Sequence, residues 1–595
     1  MPTYHAPRDE YRFVVDKFLR LEQYAAVPGY EDYSPAMLEG FLDGAARICE
    51  GVAQPLNQSG DAEGCHFDNG RVTTPSGFRD AYRQFVEGGW IGLAFDPVWG
   101  GHGLPRVLAE IFNEILGSAN MAFSGYIELS EAVFSAIAAH GDAAQKSRYL
   151  PRMANGVWTG AMHLTEAQAG SDLRLVRTRA MPQPDGTFRL DGDKLFITNA
   201  EHDLAENIVH LVLARMPGAP EGSKGLSLFI VPKFRVDAAG KLGARNGISV
   251  VSLEHKMGLR AAPTGVVHYE SAVGELLGEP NQGLKVMFTM VNDARLGVAL
   301  QGLGQAELAR QNALRYARER LQGRTLVPGG PIAPVPIIEH PDVRRMLLTI
   351  SAFTEAARGL GLWLALQIDL AAAHPAAADR LRAENLIALL TPVAKAYFTD
   401  CGSEAANLAL QCFGGYGYVR DTGVEQFVRD VRITQIYEGT NGIQALDLVQ
   451  RKLNAGDGAG TAEFLRLVRS SIAAARERPA LLSQADAMQA ALGHLEDATT
   501  WMQAQATSGQ AVEAAAGATD YLRLFGLVAL GWVWLDYARI AVAELQHDGG
   551  DRAFLEHKLA VADFFVRRVL PQTDALSRTA RLGAADVMAL PSEQF

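Results

Sequence analysis

Apolar residues recur at helical spacing from about residue 8 to 160, as in Tyr11, Phe13, Val14, Phe18 and Leu19. This predicts a helical N-terminal region. Polar, glycine-containing stretches at 57–72 and 97–105 read as breaks in it. After about 160 the pattern changes. Asp185-Gly186 and Asp191-Gly192 are turn signals around the short run 188–190. The runs 194–198, 207–215, 225–234 and 264–270 are rich in β-branched and aromatic residues. Several short strands with little helix between them predict an antiparallel barrel or sandwich over about 161–275. Helical periodicity returns over about 282–453 and opens with a stretch long enough for one dominant helix. The small-residue segment 455–462 reads as a linker before a last helical unit.

The expected fold class is therefore α+β, not the alternating pattern of a doubly wound parallel sheet. Its expected parts are a helical domain at 1–160, a β domain at 161–280, and a helical domain at 281–454. A linker at 455–462 then leads to an extra helical domain at 463–595. The longest apolar run, Leu524 to Leu535, is closed by Arg523 and Asp536. Its length suits a buried helix better than a membrane span, so no integral membrane segment is expected.

Composition narrows the function classes. With 48% hydrophobic and 21% charged residues, the chain is neither disordered nor collagen-like. Its formal charge is −12, and residues 463–595 hold 12 basic against 16 acidic residues. That balance argues against nucleic-acid binding, which needs clustered positive charge. The four cysteines have no C-x-x-C spacing and read as reduced thiols, not a disulfide framework or zinc site. The first residues alternate charges without an apolar core, so no secretory signal and a cytoplasmic location are expected.

Several chemistries lack their motifs. There is no G-x-G-x-x-G after a strand, no Walker A loop, no H-E-x-x-H and no G-x-S-x-G elbow. His163 reads as packed and not as a metal ligand. Three stretches mix small, polar and aromatic residues in loops: 162–173, 411–418 and 435–444. Glycine and short hydroxyl residues let a backbone approach a phosphate or flat ring. Each stretch alone also fits an ordinary turn, and Glu438 alone fits an exposed carboxylate before a helix capped by Thr440 or Asn441.

Together these stretches resemble the acyl-CoA dehydrogenases, flavoproteins that desaturate acyl-CoA thioesters. MHLTEAQAGSDL resembles their TEPGAGSD signature, and QIYEGTNGIQ resembles their QIYEGT segment. GDKLFITNA, EHKMGLRAAPT, LLGEPNQGLKVM, NDARLGVALQGLGQA, YARERLQGR and QCFGGYGY lie between them in family order. The resemblance covers about 85–455. It implies an N-terminal helical domain, a β-barrel-like domain and a C-terminal four-helix domain, here with extra C-terminal helices.

The resemblance also implies roles. Glu438 matches the base that takes the α-proton while a hydride passes to FAD; such a carboxylate is expected in a dry site. Some family branches place that glutamate near Ala294, where this chain has none. The backbone N–H of Glu438 matches a donor to the thioester oxygen, and Gly439 beside it belongs to the same substrate contact. Met162, Leu164, Thr165, Gly170, Ser171, Phe196, Thr198 and Thr440 match FAD contacts, and Ser171 also lies toward the CoA arm. Phe196 stands where many members have tryptophan, and core packing explains it equally well. Arg320 and Gln322, with Gln411 and Gly415, match contacts to the FAD of a neighbouring subunit, which implies a homo-oligomer with a dimer favoured. Asn292 and Arg295 match contacts to the CoA arm.

The electron acceptor implied is an electron-transferring flavoprotein. The opening residues and the 51–90 stretch resemble a bacterial branch that oxidises 3-methylmercaptopropionyl-CoA, from dimethylsulfoniopropionate breakdown, and also ordinary fatty acyl-CoAs. Two rival readings are an acyl-CoA oxidase and a DNA-associated flavoprotein of the alkylation response.

Overall fold

The β-branched runs pair into one seven-stranded sheet. In the computed structural model, which describes residues 2–329, 333–547 and 551–595 without the side chains of 288–293, it forms a closed ring. Its strands are β1 (Trp158–His163), β2 (Arg179–Pro182), β3 (Phe188–Thr198), β4 (Asn207–Arg215), β5 (Leu226–Pro232), β6 (Ile248–Leu253) and β7 (Thr264–Leu277). Hydrogen bonding runs β7–β3–β2–β4–β5 and back to β7. β6 joins β7, and β1 joins β4. The expected barrel is present, but not all antiparallel: β1 lies parallel to β4, from Trp158 opposite Asn207 to His163 opposite Val212.

Side-chain alternation places β4 between two cores. Val209, Leu211 and Leu213 pack with Val133, Phe134 and Ile137. Val212 and Ala214 face the barrel interior with Leu190, Phe229 and Tyr269. Burial on both faces explains why this strand reads as one unbroken apolar run. The helix α1 (Arg106–His140) supplies the outer layer, interrupted at Asn120, whose backbone is extended (φ −160, ψ 91). The Asn120 side chain accepts from Phe123 N–H at 3.0 Å and so caps the second half. Gly160 is required where β1 meets this helix, because a Cβ there would lie 2.6 Å from Val133 Cβ.

The sheet belongs to a compact unit of residues 44–104 and 115–297; residues 1–43, 105–114 and 298–595 form the other. The contacts thus divide 1–160, with 1–43 and 105–114 grouped with the residues from 298 onward. The reason lies in buried charge and aromatic packing. Arg358 sits on α3 (Pro341–Ala373), fully buried. It donates to Glu114 at 2.7 Å and to Glu307 at 2.9 Å. Glu307 lies on α2 (Gly283–Glu319). Lys558, also buried, bridges Glu10 and Glu355. Phe13 packs edge-on to Tyr537 at 5.0 Å. The N-terminal residues are thus tied to the end of the chain.

The C-terminal helices share this core. They are α4 (Ala377–Phe413), α5 (Asn441–Asp447), α6 (Ala459–Arg476), α7 (Leu482–Thr507), α8 (Ala511–Glu544) and α9 (Arg552–Phe564). α8 is long and apolar enough to cross a membrane, yet 83% of its apolar window is buried in the protein. Its indole N–H groups are satisfied there: Trp534 donates to Ala352 O at 2.7 Å and Trp532 to Ser471 Oγ at 3.0 Å. Two local readings also change. Residues 56–63 of the expected break form a helix with Asn57, Gly60 and Asp61 buried. The expected linker at 455–462 is a tight turn followed by the first turn of α6, with Gly460 and Thr461 buried.

Candidate functional site

In the unit that carries the sheet, the loop after β1 is fixed by a buried ion pair. Lys194, on β3 and with no exposed surface, donates to Glu166 Oε1 at 2.9 Å and to Leu164 O at 3.0 Å. Glu166 also accepts from Thr178 N–H at 3.0 Å, Thr178 Oγ1 at 2.6 Å and Arg177 N–H at 2.7 Å. Burial pushes the Glu166 carboxyl up, but the Lys194 charge and these donors outweigh it and hold it at about 2. Burial draws Lys194 down to about 8 despite the carboxylate. Leu195 N–H donates to Thr165 O at 2.8 Å, which joins loop and strand.

This brings Met162, Leu164, Thr165, Phe196 and Thr198 into one neighbourhood. Met162 is half-buried on β1, and the motif becomes a loop only from Leu164. Gly170 and Ser171 are exposed at the loop tip. Among the described residues, no partner takes the hydroxyls of Thr165 or Ser171. The Thr198 hydroxyl bonds that of Thr264 at 3.0 Å, and Lys256 donates to Thr264 at 2.9 Å.

Phe196 answers the question of core packing. Its ring is 60% exposed and its φ is 59. It sits in a β-bulge: Lys194 opposes Val267 and Ile197 opposes Gly265, so two residues of β3 face one of β7. A bulge re-aims a side chain, and this one turns the ring out of the core. His163, by contrast, is packed as expected. It has no exposed surface, bonds the Tyr269 hydroxyl at 2.5 Å, and burial pulls it well below the usual histidine range. Among the described residues no cluster of potential ligands could hold a metal. All four cysteines are free thiols.

In the other unit, Glu438 lies between a short helical turn (Arg432–Gln435) and α5. It is half-buried and not in the fully dry setting expected of it. Its φ is 54, and that of Gly439 is 84. Two consecutive left-handed residues are costly where the first carries a side chain, and glycine removes the cost at the second. Three side chains fix this turn. Lys395, fully buried on α4, donates to Gly439 O at 2.8 Å and Asn441 Oδ1 at 3.0 Å. Gln444 donates to Glu438 O at 3.0 Å. Thr440 is the helix cap, accepting from Ile443 N–H at 3.4 Å. Tyr437 donates to Gln301.

The same unit gathers the residues expected at a subunit contact. Arg320 lies over the Tyr416 ring at 5.6 Å and reaches Gln322 at 3.3 Å. Tyr316 stacks on Phe413 at 4.1 Å, which joins the end of α2 to the 411–418 segment. Gln411 and Gly415 are exposed there, beside Tyr418, which is 84% exposed. Arg295 is buried in α2, and the Asn292 side chain lies outside the described residues. Sequence reading missed Lys194, Lys395 and Gln444. A lysine inside an apolar run, as in K-L-F-I-T and V-A-K-A-Y, was the available signal for the first two.

Comparison with known proteins adds to this geometry. Family models match nearly the whole chain: the acyl-CoA dehydrogenase N-terminal domain over 38–157 and middle domain over 161–272. The C-terminal domain matches over 281–453 and the acetyl-CoA dehydrogenase C-terminal-like domain over 464–591. The 3-methylmercaptopropionyl-CoA dehydrogenase of Ruegeria pomeroyi is 43% identical, over 96% of this chain and 97% of its own. A butyryl-CoA dehydrogenase of Syntrophomonas wolfei is 32% identical over 98% of both chains. The crystal structure of an acyl-CoA dehydrogenase from Bacillus anthracis, complexed with FAD, superposes with a TM-score of 0.73. It is 21% identical and covers 96% of this chain and 91% of its own, a likeness of fold.

Proposed function

Because the chain belongs to the acyl-CoA dehydrogenase family, we propose that it removes two hydrogens across the Cα–Cβ bond of an acyl-CoA thioester. Glu438 is the base. The observation that carries this reading is the turn itself: the carboxylate of the Y-E-G-T segment sits on strained backbone clamped by two buried donors. Strain retained in such a well-supported turn points to function. Glu438 takes the α-proton, and its backbone N–H stabilises the charge that develops on the thioester oxygen. Gly439 leaves room beside that oxygen, and Arg295 contacts the CoA arm together with Asn292.

The residues fit FAD. A flat ring needs an exposed aromatic neighbour, which Phe196 supplies, and polar groups to meet it, which Thr165, Ser171 and Thr198 supply. These, with Met162, Leu164, Gly170 and Thr440, would hold the cofactor. Arg320, Gln322, Gln411 and Gly415 would complete the site of a second copy in a homodimer. Bound FAD supplies the acceptor for the β-hydride. An electron-transferring flavoprotein then reoxidises the enzyme.

The substrate we favour is 3-methylmercaptopropionyl-CoA, giving the α,β-unsaturated methylthioacryloyl-CoA. The near-full-length identity to the Ruegeria enzyme supports it, and butyryl-CoA is the alternative. Glu438→Gln is expected to keep FAD and thermal stability while anaerobic flavin bleaching slows about 1000-fold, the middle of the range for a general base. Near-normal bleaching would remove the assignment. The kcat/KM for the methylthio thioester is expected to exceed that for butyryl-CoA by about tenfold. Equal values would leave the reaction but not the favoured substrate.

A further inference from the structure

Lys395, on α4, has no exposed surface. Its ammonium donates to Gly439 O at 2.8 Å and to Asn441 Oδ1 at 3.0 Å. Asn441 is itself immobilised, donating to Ala396 O at 3.1 Å, Thr399 Oγ1 at 3.0 Å and Asp400 Oδ1 at 2.7 Å. Gln444, also fully buried, adds a second donor at 3.0 Å from Glu438 O and 3.3 Å from Gly439 O. Two consecutive main-chain carbonyls are therefore gripped from two helices, α4 and α5. The first of these carbonyls belongs to Glu438 itself, whose φ is 54.

We propose that Lys395 and Gln444 are positioning residues that keep Glu438 in its left-handed conformation and so aim its carboxylate; this rests on Glu438 being the base. Without the grip on the two carbonyls that follow it, Glu438 can relax from φ 54 to ordinary negative φ, and its side chain swings with the backbone. Neither residue touches the substrate. Both act through the base, so their loss appears in the chemical step and not in binding.

The test uses the full chain with FAD bound. Lys395→Met is expected to lower kcat about 100-fold, the cost of a misplacement on the order of 1 Å. KM should stay within about threefold, because ground-state binding is untouched. FAD content should be unchanged, and Lys395→Arg, which keeps a donor, should recover part of the rate. Combined with Glu438→Gln, Lys395→Met should add nothing to the loss, since the group it positions is gone. A fully additive loss, or a rate that falls only in proportion to lost FAD, overturns the proposal. If Lys395→Met does not fold, Gln444→Met carries the same expectation through the second donor. Wild-type rates in both Lys395→Met and Gln444→Met, with Glu438→Gln inactive, would end the clamp and leave the reaction standing. An active Glu438→Gln would end the reaction assignment itself.

Discussion

The loop 164–172 and the turn 436–440 both hold functional groups outside regular structure, by opposite means. In the loop the backbone is relaxed: among the described residues none from 164 to 172 has a positive φ. Order comes from a charge pair beneath it, Glu166 and Lys194, and from a strand partner that takes the Thr165 carbonyl. In the turn the functional residue itself carries the strain, about 1–3 kcal/mol for a left-handed non-glycine residue. Order comes from donors on neighbouring helices. The loop's support is part of what folds the barrel. The turn's support is local, added to helices that already pack through α4 and α8. Lesions beneath the loop should therefore show as lost stability, and lesions beneath the turn as lost rate.

Lys194→Met gives the largest expected stability effect. It leaves Glu166 buried with an unpaired charge and the Leu164 carbonyl without its donor. Breaking a buried pair from one side costs about 3–5 kcal/mol. Urea denaturation followed by a signal from the barrel should show that loss, with FAD retention falling alongside. An equal loss of stability from Lys395→Met would erase the contrast between the two regions. Gly160→Ala should come next. The new Cβ would meet Val133 at 2.6 Å and push β1, which leads into the loop, off its helix. Overpacking of this kind costs about 1–3 kcal/mol. A neutral result would mean that the loop is not seated through β1.

The two regions also differ in how far the sequence foretold them. The barrel was legible because β-branched runs and D-G turns are local signals, and α2 because its helical period runs unbroken for 37 residues. The parallel pairing of β1 with β4 was not, since strand direction depends on partners distant in the chain. The residues of the motifs were legible by likeness, but not what holds them. The bulge at Phe196 lies inside an ordinary-looking β run, and nothing in L-F-I-T marks it. The clamp joins residue 395 to residue 439 across the fold, a pairing with no local trace. The tie between Glu10 and Lys558 is the extreme case, a contact across 548 positions that no local pattern marks.

The smallest effect concerns pH, and it separates the regions through the charge pair that only the loop has beneath it. Glu166 is held at about 2 in the fold, against about 4.3 for a free glutamate, so the folded state binds fewer protons than the unfolded chain across that window. Its contribution is complete above about 4.3 and fades as pH falls toward 2. Lys194 titrates at about 8 in the fold, against about 10.4 when free, so the unfolded chain again binds more protons between these values. From this group alone, stability at neutral pH is lower than it would be for an unshifted lysine, and it rises as pH climbs through 8 to 10. In the fold the pair is doubly charged from about 2 to about 8, and between about 4.3 and about 8, outside both windows, the loop's anchor should be insensitive to pH. Stability of the wild type at pH 3, 4.5, 7 and 9, compared with the Glu166→Gln/Lys194→Met double variant, reads this directly. The double variant's curve should fall less steeply than the wild type's below pH 4.5 and rise less above pH 8, by this pair's share, whatever its absolute stability. Parallel curves for the two proteins would mean that other groups set the acid limit, and that the loop is ordered chiefly by contacts other than this charge pair.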